Sequence, residues 1–211
     1  MTGTRQIDEK PHVSARDAIL AAVRGNKPTQ EMHRPDVPLF DRLPDDALVG
    51  EFRRRLEQMG GRWLDPGPAE DPLAPGRARI AQAGIVCSNV AGLPGSRTLS
   101  AGDAPASLHD VDLAVVRAAF GIAETGSVAF SERELVVNTI GYLAQHLLVL
   151  LDPADIVGNL HHAYARPEMH AGHYLVFQTG PSATADIEGV LIHGAQGVRS
   201  LTVMLVAHTV A

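Results

Sequence analysis

Residues 147–151 read LLVLL and run straight into Asp152-Pro153. No other feature limits the possible folds of this chain so tightly. A run this short and this apolar suits a strand covered on both faces, as strands of parallel sheets are. It falls far below the ~20 residues that cross a bilayer, so membrane insertion is not expected. Asp152 as N-cap with Pro153 at the first helical position predicts a helix directly afterwards, with Ile156, Leu160 and Tyr164 on one face. Further strand-like pieces lie at 63–64, 84–90, 111–116, 126–130, 174–178 and 201–207. A helix over 45–59 is predicted from Leu48, Phe52, Leu56 and Met59 at helical spacing, with Asp45 and Asp46 at its start and Gly60-Gly61 as its stop. Residues 66–76 read as a Pro/Gly-rich surface loop. Strands alternating with helices imply parallel pairing and a layered α/β fold, in which ligands sit beyond the carboxyl ends of the strands.

The first 44 residues read as an arm: a short helix capped by Ser14 with an Ile19, Leu20, Val23 stripe, then a tether carrying Pro28, Pro35, Pro38 and Pro44. The expected organisation is 1–44 as helix and tether and 45–211 as the α/β domain. Net charge is −6, which gives no general attraction for phosphate backbones, so nucleic acid is not an expected partner. Cys87 is the single cysteine. It cannot form a disulfide within the chain, and it cannot supply the four thiolates an iron–sulfur cluster takes. The polar start of the chain does not read as a signal segment, and a cytoplasmic location is expected. No dinucleotide fingerprint is present, so the isolated protein is expected to carry no flavin and, with one cysteine, no cluster.

Three glycine-punctuated segments are candidates for a working surface. In the first, Gly180-Pro181-Ser182-Ala183-Thr184 leads to Asp186 and Glu188. Gly180 permits close backbone approach, and Ser182 and Thr184 can cap a following helix. The segment reads either as a strand–loop–helix cradle for phosphate or carboxylate or as an ordinary capped turn. The second is Glu124-Thr125-Gly126-Ser127, where an acid in an apolar stretch is either a general base or nucleophile or a carboxylate that pins a turn. The third is Gly194-Ala195-Gln196-Gly197, a loop approached by a ligand or a tight connection. His161, His162, Glu168, His170 and His173 lack the helical spacing of a zinc site, and no metal is expected.

The string TGPSATADIEGVLIHGAQG, preceded by IAETGS, resembles the LUD domain family in the form found in lactate utilisation protein C. The likeness is sharp over 121–207 and looser but collinear from about residue 45. Ala183 stands where that pattern usually has Arg, Gln196 where it has His, and Val198 where it has Pro. The resemblance implies a sandwich with a mainly parallel sheet like that of the sugar-isomerase and CoA-transferase superfamily. It also implies a place beside two cysteine-rich iron–sulfur proteins in a system that oxidises L-lactate to pyruvate. The leading expectation is a non-redox component of that system, binding a small carboxylate or phosphate, or a partner, through the Gly180 and Glu124 loops. The alternatives are a stand-alone isomerase- or CoA-transferase-like enzyme using Glu124, and an assembly module for the iron–sulfur partners.

Overall fold

The apolar run forms the middle strand of a five-stranded, wholly parallel sheet. In the computed structural model, residues 14–28, 30, 33, 35–40, 43–185 and 189–210 are described. The chain divides into two units between Val37 and Pro38. In the first, helix α1 (Ala15–Gly25) is capped by Ser14, whose Oγ accepts from the Asp17 N–H at 3.1 Å and donates to its carboxylate at 2.7 Å. The expected stripe is present but buries nothing: Ile19 and Val23 are each 63% exposed.

The second unit runs α2 (Asp45–Gln58), β1 (Arg62–Leu64), α3 (Ala74–Ala81), β2 (Val86–Ser88), β3 (Leu113–Arg117), β4 (Phe120–Ile122), β5 (Ser127–Ser131), α4 (Glu132–Leu135), α5 (Ile140–Leu143), β6 (His146–Leu151), β7 (Ile156–Val157), α6 (Leu160–Tyr164), α7 (Glu168–Ala171), β8 (Leu175–Gln178), β9 (Ala183–Thr184), β10 (Ile192–His193) and β11 (Ser200–Leu205). The large sheet has the order β1-β11-β6-β3-β2, with Leu148 paired to Thr202 on one side and Val115 on the other. A second sheet, β7-β4-β5-β8, is mixed, and β9-β10 form a separate antiparallel pair.

The pleat sends alternate side chains of the large sheet to opposite faces. Ala114, Val116, Leu147, Val149, Leu151, Leu201 and Val203 join one core, which also takes Leu48, Phe52 and Leu56 of α2 and Val128 and Phe130 of β5. Leu113, Val115, Leu148, Leu150 and Met204 face the other way, into a core shared with Leu73, Val86 and Leu93. The main core thus fills the space between the two sheets, and a third cluster around Phe120, Ile122, Ala129 and Ala163 backs the small sheet. Cys87 sits fully buried in β2 as a small core residue.

Four expectations need correction. Asp152 does cap, accepting from the Ala154 N–H at 2.9 Å, but only a 3-10 turn follows (Pro153–Asp155), and the chain then enters β7. The predicted long helix is replaced by α6, which has its own N-cap, Asn159, accepting from the His162 N–H at 3.0 Å. Residues 66–76 hold the start of α3, with Pro75 in its first turn, where the missing N–H costs nothing. Met59 lies beyond the α2 stripe and is exposed. Finally, Ala183–Thr184 is a strand rather than the start of a helix. Among the described residues no helix is long and apolar enough to cross a membrane.

Candidate functional site

Two of the glycine-punctuated segments do meet, and what they meet on is the end of helix α2 and the Met59 that follows it. Gly126 has φ +68°, and a Cβ there would lie 2.2 Å from the Leu56 backbone nitrogen. Gly180 has φ +75°, and its Cβ would lie 2.3 Å from the Met59 carbonyl oxygen. The backbone that approaches these glycines so closely is therefore the protein's own. A row of hydroxyls ties the two loops together: Thr125 Oγ1 to Ser127 Oγ at 2.7 Å, and Ser127 Oγ to Thr179 Oγ1 at 2.5 Å.

The Ser182 amide, central to an anion cradle, is occupied. The Ser182 N–H donates to Val198 O at 2.8 Å, and the Gly194 N–H donates to Ser182 O. Gly197 packs beside the Ser182 side chain, so the Gly180 and Gly194 segments come together as the two sides of the β9-β10 hairpin. Pro181 is buried, Thr184 lies in β9 and Gln196 is exposed. Asp186 and Glu188 fall outside the described residues. Glu124 is exposed on the β4-β5 turn, and its carboxylate accepts from the Leu160 N–H at 3.1 Å, at the start of α6. It lines an open cleft of about 570 Å³ with Phe40, Arg55, Asn159 and His161. The Glu124 carboxylate points to α6 and not to the Gly180 loop.

A different constellation lies beyond the carboxyl ends of the large sheet, where parallel α/β folds hold their ligands. Asn89 follows β2, Arg117 ends β3, Asp152 and Asp155 follow β6, and His208 follows β11. With Arg133 from α4 and Arg166 and Glu168 near α7, most of these line a cleft of about 430 Å³. Arg166 is held rigidly. Its Nε and Nη2 donate to Glu168 at 3.1 and 2.6 Å, Nη2 also reaches Asp155 at 3.1 Å, and the guanidinium lies 4.9 Å from the centre of the Phe120 ring. The bond to Glu168 raises the Arg166 pKa, and the same bond lowers that of Glu168. No described residue accepts from Arg166 Nη1, and the Arg133 guanidinium pairs with no described residue.

Arg117 donates to Val206 O at 2.9 Å, and burial pushes its pKa down against the opposing pull of Asp152 and Asp155. His208 is fixed twice: its backbone N–H donates to Asp152 at 2.7 Å, and its Nε2 lies 2.7 Å from Asp155. Asp152, Asp155 and His208 bring three ligand-type atoms within 4.8 Å of one another. Both Asp152 oxygens already accept backbone N–H groups, and Asp155 is paired with Arg166, which it shares with Glu168. Sequence reasoning passed over this cleft. Its available signal was a polar residue ending each of several apolar runs, namely Asn89, Arg117, Asp152 and His208.

A family model described as LUD domain matches residues 101–206, half of the chain, and covers the cleft residues Arg117, Arg133, Asp155, Arg166 and Glu168. The chain belongs to the LUD domain family. The LUD family is associated with lactate utilisation, and that association holds here at family level. A solved structure, the crystal structure of a DUF162 family protein from Deinococcus radiodurans, shares the fold. It is 18% identical, with a TM-score of 0.56 over 78% of this chain and 99% of that one. No curated protein matches the chain.

Proposed function

We propose that this LUD protein is a non-redox component of an L-lactate-utilisation system and that it holds a small carboxylate in the cleft beyond the carboxyl ends of the parallel sheet. One observation carries the reading: Arg133 and Arg166 line a common cleft, and no described residue accepts from the Arg133 guanidinium or from Arg166 Nη1. Guanidinium matches a carboxylate in shape and charge. The single, buried cysteine suits a subunit that leaves electron transfer to cysteine-rich iron–sulfur partners in the cytoplasm. Glu124 as the base of a stand-alone enzyme is less favoured, since its carboxylate already serves the first turn of α6.

Calorimetric titration of the purified protein tests this reading. L-lactate and pyruvate are expected to bind and lactamide, which has the same shape without the charge, is not. Equal heats for acid and amide, or none for either acid, would remove the carboxylate and leave the assembly-module reading in its place.

A further inference from the structure

The cleft holds one feature that anion binding alone does not use, a histidine oriented by a carboxylate. His208 Nε2 lies 2.7 Å from Asp155 Oδ2, while Asp155 Oδ1 accepts from Arg166 Nη2 at 3.1 Å. A carboxylate paired with guanidinium offers only acceptor atoms, so Nε2 carries a proton, and in the neutral imidazole Nδ1 keeps its lone pair. No described residue donates to Nδ1. The Asp152 carboxylate pins the His208 backbone N–H at 2.7 Å and fixes where the ring is presented. A base backed by a carboxylate, in one cleft with two guanidinium groups, suits proton abstraction next to a carbonyl.

We propose that this cleft is catalytic, and that His208 is a general base which enolises 2-oxo carboxylates. This rests on the carboxylate reading above and adds a reaction to it. In the step, His208 Nδ1 takes a proton from the carbon next to the carbonyl. The pair of that C–H bond becomes the carbon–carbon double bond of the enolate, and the carbonyl π pair moves onto oxygen. The oxyanion forms beside the guanidinium groups of Arg133 and Arg166. The reverse step returns the proton, so no oxidant, reductant or second substrate is needed. Asp155 acts as a positioning residue through the imidazole.

Incubating the full chain with pyruvate in deuterium oxide, and following the methyl proton signal by NMR, tests this directly. The expected result is exchange of the methyl protons at least ~100-fold faster than with free imidazole at the same concentration, the lower end of what a positioned base contributes. At saturating pyruvate, His208→Gln is expected to bring exchange to the imidazole level, because the amide oxygen is too weak a base. Exchange at the imidazole level in the wild type, with pyruvate bound by calorimetry, would overturn the catalytic proposal and leave the carboxylate reading standing. Exchange in His208→Gln as fast as in wild type would also overturn it. Absence of pyruvate binding would take down both.

Discussion

At the scale of single residues, the glycines and the arginines separate packing from function. Gly126 and Gly180 combine positive φ with a backbone atom close to where a Cβ would stand, whereas at Gly189, with φ +69°, a Cβ would meet no described residue within 4 Å. Gly189→Ala should therefore cost only the left-handed backbone term, about 1–2 kcal/mol. Gly126→Ala should cost about 2–5 kcal/mol, since forced overpacking adds about 1–3 kcal/mol to that term. Urea denaturation of the two variants checks the difference, and equal losses would mean that α2 yields freely at Leu56. Arg133 is exposed and unpaired among the described residues, so Arg133→Ala should shift stability by no more than about 0.5 kcal/mol. Stability and ligand affinity should come apart at this position, because the Arg133 side chain has no hydrogen bond to a described residue to lose.

At the scale of elements, helix α2 shows how a surface charge is tuned. Glu51 accepts from Arg54 Nη2 and Nε and from Arg55 Nε, and these bonds bring its carboxyl from 4.5 to about 2. A carboxylate lowered in this way contributes stability that is fully present above pH 4.5 and fades as the pH falls toward 2. Glu51→Gln should be less stable than wild type at pH 7, by under about 1 kcal/mol because the cluster is solvent-facing. The two proteins should converge near pH 2 in thermal melts, and a gap that stays constant with pH would contradict the clamp. The elements also differ in how legible they were. β6, β3 and β11 are built around apolar runs, and α2 carries Leu48, Phe52 and Leu56 one turn apart, so local pattern and tertiary role agree. β4 spans three residues around Gly121, too short for its alternation to register. The start at Asp152-Pro153 was a true cap, yet a helix there would have taken Ile156 out of the pairing between β7 and β4, and the tertiary contact won.

At the scale of the whole molecule, the parallel five-stranded sheet and the family were legible, while the placement of the candidate site was not. Gly126 and Gly180 are conspicuous in sequence and pass close to the end of α2, and a ligand loop would use the same glycines, so the sequence alone leaves cradle and packed turn as equal readings. The cleft residues come from segments as far apart as Asn89 and His208, each unremarkable alone, and only the parallel register brings them to one edge. The same topology puts Ala183, in the β9-β10 hairpin, away from the residues that line that edge. Restoring an arginine at this position should therefore do nothing for a ligand held by Arg133 and Arg166.

The paired titration of Arg133→Ala and Ala183→Arg against pyruvate and L-lactate tests the location of the site most directly. One charge-assisted contact is worth about 1.5–3 kcal/mol, or roughly ten- to a hundred-fold in affinity. Arg133→Ala is expected to weaken binding by about that factor while Ala183→Arg matches wild type. Tighter binding by Ala183→Arg, with Arg133→Ala unchanged, would contradict the account and return the site to the glycine loops.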